Sequence, residues 1–352
     1  MMSKSEIGRE IKLGVDMHQR SYVVCAKIDG SAPLRSQRMS PAEFFAFVSS
    51  IASKFSRIYS CYEAGCFGYQ PHRRLQSLGV TSYVIRPIGL DRFGKRVKTD
   101  GGDARQLALL LDGYVRGNER SFSAVTVPSE EQERSRSVTR HREALMRERK
   151  RLAAMGGSNA RYYGYEAKGA WHRKAAFAAL EESLPEHLLE LLRSLRSVIE
   201  ELERQILAVE ARMQEMPAPA LPKGMGAVLF QQLEREAGDW SRFASGRRVA
   251  GYVGLCPSED SSAERRRQGS ITKSGNPRMR RLFVEWVWLL MQWNRGYAGL
   301  EKWRDRLLEA EANKASKKRI VVAIARQLAV DWWRVRTGRI RPEELGLEMK
   351  AA

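Results

Sequence analysis

The sequence predicts an α/β N-terminal region, then long helices, then a mainly helical C-terminal region. Three observations carry this. Strand-like and helix-like apolar patterns alternate over roughly the first third of the chain. A strongly basic helical stretch follows, and after it an unbroken apolar seam. Beyond the proline-rich run Met216-Pro-Ala-Pro-Ala-Leu-Pro222, apolar helices return around a polar stretch. The predicted parts are 1–128, 129–216 and 217–352.

In the first part, Ile11 to Val15 reads as a strand that ends at Asp16. Tyr22 to Ile28 is a second strand with a β-prone centre of Val23, Val24 and Cys25. Leu34 to Met39 reads as a third, more polar strand. Pro41 to Lys54 has helical spacing through Phe44, Phe45, Val48 and Ile51. Arg57 to Tyr62 is a strand running into Glu63, Gly68 to Leu78 a helix stopped by Gly79, and Val80 to Ile85 a strand closed by Pro87. A further helix starts near Asp100 and continues through Leu107 to Leu111. Three strands followed by alternating helices and strands is the order of an RNase H-like fold.

The second part is basic from Ser129 to about Met155, with Arg134, Arg136, Arg140, Arg142, Arg147, Arg149, Lys150 and Arg151. Gly156-Gly157-Ser158 reads as a break. After Pro185 the residues Leu188, Leu192, Leu195, Ile199, Leu202, Ile206, Val209 and Met213 alternate spacings of four and three. That is a coiled-coil seam, which would pack on another subunit or on the basic helix of the same chain. In the third part, Leu221-Pro-Lys-Gly-Met-Gly226 before an apolar helix resembles a helix-hairpin-helix turn, which offers amides to phosphates. Trp286, Trp288, Trp293, Trp303, Trp332 and Trp333 would serve as base-stacking platforms or, at helical spacing, as core.

The 352 residues carry 61 Lys plus Arg against 41 Asp plus Glu, a formal net charge of +20. That excess points to a polyanionic partner, nucleic acid before membrane. No apolar run reaches a membrane span and no signal peptide opens the chain, so a soluble cytoplasmic protein is expected. Cys25, Cys61, Cys66 and Cys256 form no CxxC pair, and reduced thiols fit better than zinc.

Four carboxylates stand where a metal site needs them. Asp16 and Glu63 end strands that are neighbours in an RNase H-like sheet. Asp100 and Asp103 are three apart at a helix start and share a face. Converging carboxylates repel unless cations neutralise them, and two magnesium ions there would grip a phosphodiester. Singly, each has a plainer role: Asp16 in a turn, Asp100 as an N-cap, Asp103 as a favourable first-turn charge.

Between Gly254 and Arg281 hydroxyls alternate with cations: Ser261, Ser262, Ser270 and Thr272 with Arg265, Arg266, Arg267 and Lys273. Gly275-Asn276 is a turn signal and a helix begins after Pro277, with Arg278 in its first turn. A serine in such a field would attack a phosphate and hold it as an ester; the plainer reading is a phosphate-binding loop without chemistry.

These motifs together resemble the DEDD-type insertion-sequence transposases, relatives of the Piv invertase that are also described as bridge-RNA-guided recombinases. The resemblance is carried by Gly-Val-Asp16-Met-His, Tyr-Glu63-Ala-Gly and Val-Lys-Thr-Asp100-Gly-Gly-Asp103-Ala-Arg. It continues through Leu-Pro-Lys-Gly-Met-Gly, Gly-Tyr-Val-Gly-Leu-Cys-Pro, Ser261-Ser262 and Gly-Ser-Ile-Thr-Lys-Ser-Gly-Asn-Pro-Arg-Met-Arg. It implies a RuvC-like first domain whose Asp16, Glu63, Asp100 and Asp103 bind Mg2+. It also implies a coiled coil for oligomerisation and a C-terminal transposase domain whose serine attacks DNA. Ser262 matches that serine, with Ser261 as its neighbour. Two departures stand out: Ala263 follows the serine where the family usually has glycine, and Gly101-Gly102 replace a frequent pair of arginines.

The expected function is site-specific recombination of an insertion sequence by a dimer or tetramer. Its partners are donor and target DNA and, by the resemblance, a structured non-coding bridge RNA, in a bacterial, nucleoid-associated setting and without a membrane. Arg140, Arg147, Arg265, Arg266, Arg267, Lys273 and Arg278 are the expected nucleic-acid contacts. The competing readings are a RuvC-type nuclease, in which metals activate water, and a non-catalytic nucleic-acid-binding protein.

Overall fold

The computed structural model describes residues 9–87, 100–167, 169–214, 219–259, 268–310 and 313–350, with only the backbone of Asp100, Gln268 and Lys314. The chain divides into two compact units, Met1–Val127 and Pro128–Ala352. The helical region and the C-terminal region, which the proline-rich run separates in the sequence, therefore form one unit. Met216 to Ala218 of that run lie outside the described residues.

The first unit is built on a five-stranded sheet of β1 (Glu10–Met17), β2 (Tyr22–Ile28), β3 (Gln37–Met39), β4 (Arg57–Glu63) and β5 (Thr81–Ile85). Its spatial order is β3-β2-β1-β4-β5, antiparallel from β1 to β3 and parallel from β1 through β4 to β5. The strand expected over Leu34 to Met39 pairs only from Gln37 to Met39, because Leu34 hydrogen-bonds instead outside the ladder, donating its N–H to Ala26.

Alternation along the strands sorts side chains onto two faces. Ile11, Leu13, Val15, Ile58 and Tyr62 pack beneath α1 (Pro41–Ile51) and α2 (Gln70–Ser77), with Phe44, Phe45, Val48 and Leu75. Ser40 and Glu43 close a capping box that fixes where α1 starts. The opposite face receives α3 (Asp100–Val115): Val23 and Cys25 meet Ala104 and Ala108, and Cys61 donates its thiol to the Leu107 carbonyl at 3.4 Å.

Gly14 allows that approach. A Cβ there would lie 2.3 Å from the Ala104 oxygen and the Ala108 nitrogen. At the far end of α3, buried Asp112 meets the Lys27 ammonium at 2.9 Å and that of Lys12 at 3.6 Å. Ala104 against Gly14 and Asp112 against Lys12 run α3 antiparallel to β1, so the start of α3 points toward the Asp16 end of the strand.

The second unit is helical: α4 (Glu130–Tyr162), α5 (Lys174–Glu181), α6 (Glu186–Gln214), α7 (Ala227–Ala237), α8 (Gly246–Val253), α9 (Pro277–Trp293), α10 (Ala298–Glu301), α11 (Arg304–Glu309) and α12 (Lys314–Arg336). The seam of α6 is covered by α4 of the same chain, which decides between the two packings the heptad pattern allowed. The break expected at Gly156-Gly157 does not occur, and α4 runs through it. Gly156 is there for packing: a Cβ would lie 2.1 Å from the Trp171 ring, whose Nε1 donates to the Ala153 carbonyl at 2.7 Å. An antiparallel pair of β6 (Pro257–Glu259) and β7 (Gln268–Ile271) stands within the polar stretch between the apolar helices. Trp286, Trp332 and Trp333 are core residues, Trp303 packs at its edge, and Trp288 and Trp293 are exposed. None of the helices among the described residues is long and apolar enough to cross a membrane.

All eight tryptophans belong to the second unit, so their fluorescence reports on it alone, whereas circular dichroism reports on both. Gly14→Ala should force α3 off the sheet and cost about 2–3 kcal/mol. A lowered denaturation midpoint by circular dichroism with an unmoved fluorescence midpoint is the expected outcome.

Candidate functional site

The register of the sheet places the first two candidate carboxylates. Gly14 pairs with Cys61 and Val15 with Tyr62, so the next step along the parallel ladder sets Asp16 beside Glu63. Both fall in the even-numbered β1 and odd-numbered β4 rows, the rows that face α3. Asp103 lies one residue before Ala104, the residue that sits on Gly14. The same strand ends and the first turn of α3 thus converge on one edge of the unit. Asp16 is only partly exposed and its Oδ2 lies 3.2 Å from Nε2 of His18. Asp100 opens α3, and its side chain lies outside what is described. Among the described residues no three His, Cys, Asp or Glu side chains are gathered as a metal cage. The donors on this edge are carboxylate oxygens, the ligand chemistry of a hard divalent cation such as Mg2+ and a poor match to zinc.

Ser261 and Ser262, with Arg265, Arg266 and Arg267, lie outside the described residues, between β6 and β7. The turn from β7 into α9 is built firmly. Lys273 takes a left-handed backbone (φ 54°) and its carbonyl accepts from Arg280. Gly275 has φ 130°, and a Cβ there would lie 2.2 Å from the Tyr252 carbonyl oxygen. Asn276 caps α9, its Oδ1 accepting from the N–H groups of Arg278 and Met279.

The Asn276 amide also donates to Glu236 at 2.9 Å. Glu236 on α7 is 2% exposed and is gripped by Arg140 of α4, with Nε at 2.9 Å and Nη2 at 3.2 Å. Burial opposes its ionisation, but the hydrogen bonds from Arg140 and Asn276 and the charges of Arg140 and Arg278 outweigh burial. The carboxyl titrates below the ordinary glutamate range. Neither Glu236 nor Glu143 is marked by its sequence surroundings, since each looks like one more acid on a charged helix.

The cations of α4 are held in several ways. Read as a phosphate-binding row, most are engaged within the chain. Arg134 pairs with Glu130, Arg142 with Glu210, Arg149 with Glu203 and Arg151 with Glu148; Arg136 donates to the Arg235 carbonyl. Arg278 and Arg281 of α9 both hold Glu143, at 2.7 and 3.1 Å. Arg140 and Arg278, expected to contact nucleic acid, are thus bound to acids of the fold. Arg147 is exposed at the rim of a cleft of about 520 Å³ between α4, α7 and α9.

Residues 222–301 match the sequence profile described as the transposase IS116/IS110/IS902 family. A Sinorhizobium fredii protein named as a transposase (y4qE) is 31% identical over 293 residues, covering 80% of this chain and 72% of its own. A Pseudomonas aeruginosa protein named as a family 20 transposase is 26% identical over 337 residues, 91% of each chain. The transposase for insertion sequence element IS1328 of Yersinia enterocolitica is 26% identical over 341 residues, 92% of this chain and 96% of its own. The chain belongs to the IS116/IS110/IS902 family of insertion-sequence transposases.

The depressed titration of Glu236 makes stability pH-dependent with a defined sign. Its contribution is whole above the ordinary glutamate value of 4.5 and is lost as pH falls below that, through the folded-state value. Glu236→Gln should cost about 2 kcal/mol at pH 7. It should also flatten the acid limb of the fluorescence unfolding midpoint, and an acid limb as steep as that of the unaltered chain would refute the assignment.

Proposed function

We propose that this transposase cuts and rejoins DNA with a serine nucleophile, and that the carboxylates of its first unit hold Mg2+. The observation that carries the second statement is the register that sets Asp16 beside Glu63, with the start of α3 on the same sheet face. The strand order β3-β2-β1-β4-β5, with its antiparallel and parallel halves, supports reading this unit as RNase H-like and RuvC-like. Bound there, Mg2+ would act as a Lewis acid toward a phosphodiester oxygen. The chain's own part is to keep Asp16 and Glu63 at adjacent strand ends and to bring Asp103, with Asp100, over them on the first turn of α3.

The serine reading rests on Ser262 and its neighbour Ser261, which come in sequence between β6 and β7; the Gly275–Asn276 turn and the Glu236 linkage tie the chain after β7 to α8, α7 and α9. In that reaction the serine hydroxyl gives up its proton as its oxygen bonds to phosphorus, the 3′ or 5′ oxygen of the cut strand leaves and takes a proton, and the hydroxyl of the exchanged strand later reverses the step and frees the serine. Arg265, Arg266 and Arg267 would stabilise the charge that develops on the phosphate. A structured bridge RNA, donor and target DNA, and an oligomer are the partners that the resemblance assigns to this machinery. Exposed and unpaired cations, rather than the α4 row as a whole, are where the chain would contact them.

Three measurements test this. Millimolar Mg2+ should raise the circular-dichroism unfolding temperature of the unaltered chain and not that of Asp16→Asn/Glu63→Gln. Either single substitution should lower cleavage of supercoiled element DNA at least about 100-fold, and undiminished cleavage in excess EDTA would rule the metal out. Ser262→Ala should form no covalent protein–DNA adduct while still binding DNA. If only Ser261→Ala is dead the nucleophile is Ser261; if both cleave normally, water is the nucleophile and the nuclease reading replaces this one.

A further inference from the structure

The cleft between α4, α7 and α9 is prepared for an anion by residues other than the candidate carboxylates and serines. Arg147 and Lys150 stand three residues apart on one face of α4 at its rim, both exposed. Neither makes an ion pair among the described residues, although most of the α4 cations do. The first turn of α7 opens onto the same cleft through Gly226, Val228 and Leu229. Gly226 is the N-cap and supplies no side-chain hydrogen bond to the free amides of that turn. A Cβ on Gly226 would meet nothing within 4 Å, so the space before these amides is open.

The inner wall holds the most specific feature. Gln232 is 8% exposed and its side chain lines the cleft, yet its amide makes no hydrogen bond among the described residues. The amide atoms themselves are not sealed off from solvent, so they open on the cleft and can meet a ligand there. Two acids line the cleft: Glu143 is neutralised by Arg278 and Arg281, and exposed Glu285 stands one turn from Arg281 on α9.

We infer that this cleft binds a backbone phosphate of nucleic acid, with the exposed Arg147 and Lys150 cations, the α7 amides as the cradle and the Gln232 amide as a further donor on the wall. Helix-start amides and unpaired cations are complementary to a phosphodiester, and the volume of about 520 Å³ admits one with its flanking sugars. This rests on the transposase reading only in taking nucleic acid, rather than a free phosphate compound, as the ligand.

The test measures binding of the full chain to a fluorescein-labelled 20-base-pair DNA duplex and to an RNA stem-loop across a salt series. Arg147→Gln/Lys150→Gln should lower affinity about tenfold and reduce the slope of log K against log salt by about 1.5–2, since two phosphate contacts are lost. Gln232→Leu, which removes the amide and no charge, should lower affinity about threefold at an unchanged slope. Arg134→Gln/Arg151→Gln, outside the cleft and already paired, should change the slope little. The nucleic acid whose slope falls identifies the strand that the cleft holds. Slopes unchanged for both ligands in the Arg147/Lys150 variant overturn the inference while leaving the transposase reading intact. A fall matched by the Arg134/Arg151 control overturns it too, because the effect is then one of bulk charge. Inorganic phosphate that competes as strongly as nucleic acid at equal concentration shows a small-anion site and overturns the nucleic-acid assignment. Failure of the unaltered chain to bind either nucleic acid sinks both readings.

Discussion

The candidate carboxylate edge depends on how closely α3 can lie on the sheet. Gly14 removes the one side chain that would hold the helix away, and the buried Asp112 with Lys12 and Lys27 fixes its other end. The ion group is an expensive device, since each charge loses water and regains only its partners. Its value is positional. A hydrophobic contact at this place would let α3 slide by a fraction of a turn, whereas one carboxylate shared between ammonium groups on neighbouring strands β1 and β2 permits a single register. With that register set, the first turn of α3 comes to the strand ends where Asp16 and Glu63 sit side by side.

The second unit solves a different problem with the same interaction. Helix α4 carries too many cations to pack on another basic surface, and α6, α7 and α9 meet it through acids: Glu210, Glu203 and Glu236 face its arginines, and its own Glu143 faces those of α9. Those on the surface contribute roughly 0–1 kcal/mol each. Their larger effect is to orient one long helix against several others around the apolar seam of α6. Glu236 adds a link of another kind, because it joins α4 to the N-cap of α9 through Asn276, and so ties the turn after β7 to the helical body.

Much of this is legible in the sequence, and the gaps have physical causes. The strands β1, β2, β4 and β5 follow from apolar runs bounded by polar and glycine residues, and their ends fix Asp16 and Glu63 to within a residue. The α6 seam is readable as a pattern, but a 4–3 repeat does not say which helix covers it; that depends on α4 lying alongside. Gly156-Gly157 looks like a break because glycine lowers helix propensity, whereas the residue that requires it, Trp171, is distant in sequence. The short β6–β7 hairpin has no apolar alternation to announce it. Charge counting is blind to the pairing on α4 for a similar reason: composition gives the number of arginines and not whether a glutamate from another helix faces them. The serines, by contrast, stand out only through motif resemblance, since a hydroxyl among arginines has no periodicity.

The acids that face these arginines also act as insulation. A chain with a formal excess of 20 positive charges would adhere to any polyanion it met if all its cations were free. Pairing Arg140, Arg142, Arg149 and Arg278 with acids of the fold leaves the bare cations elsewhere, among them Arg147 and Lys150. Drift that replaced Glu203 or Glu210 with a neutral residue would therefore leave a folded protein that is stickier rather than weaker. Its residence on irrelevant sequence would lengthen, and its search for a proper site would slow without any change at that site.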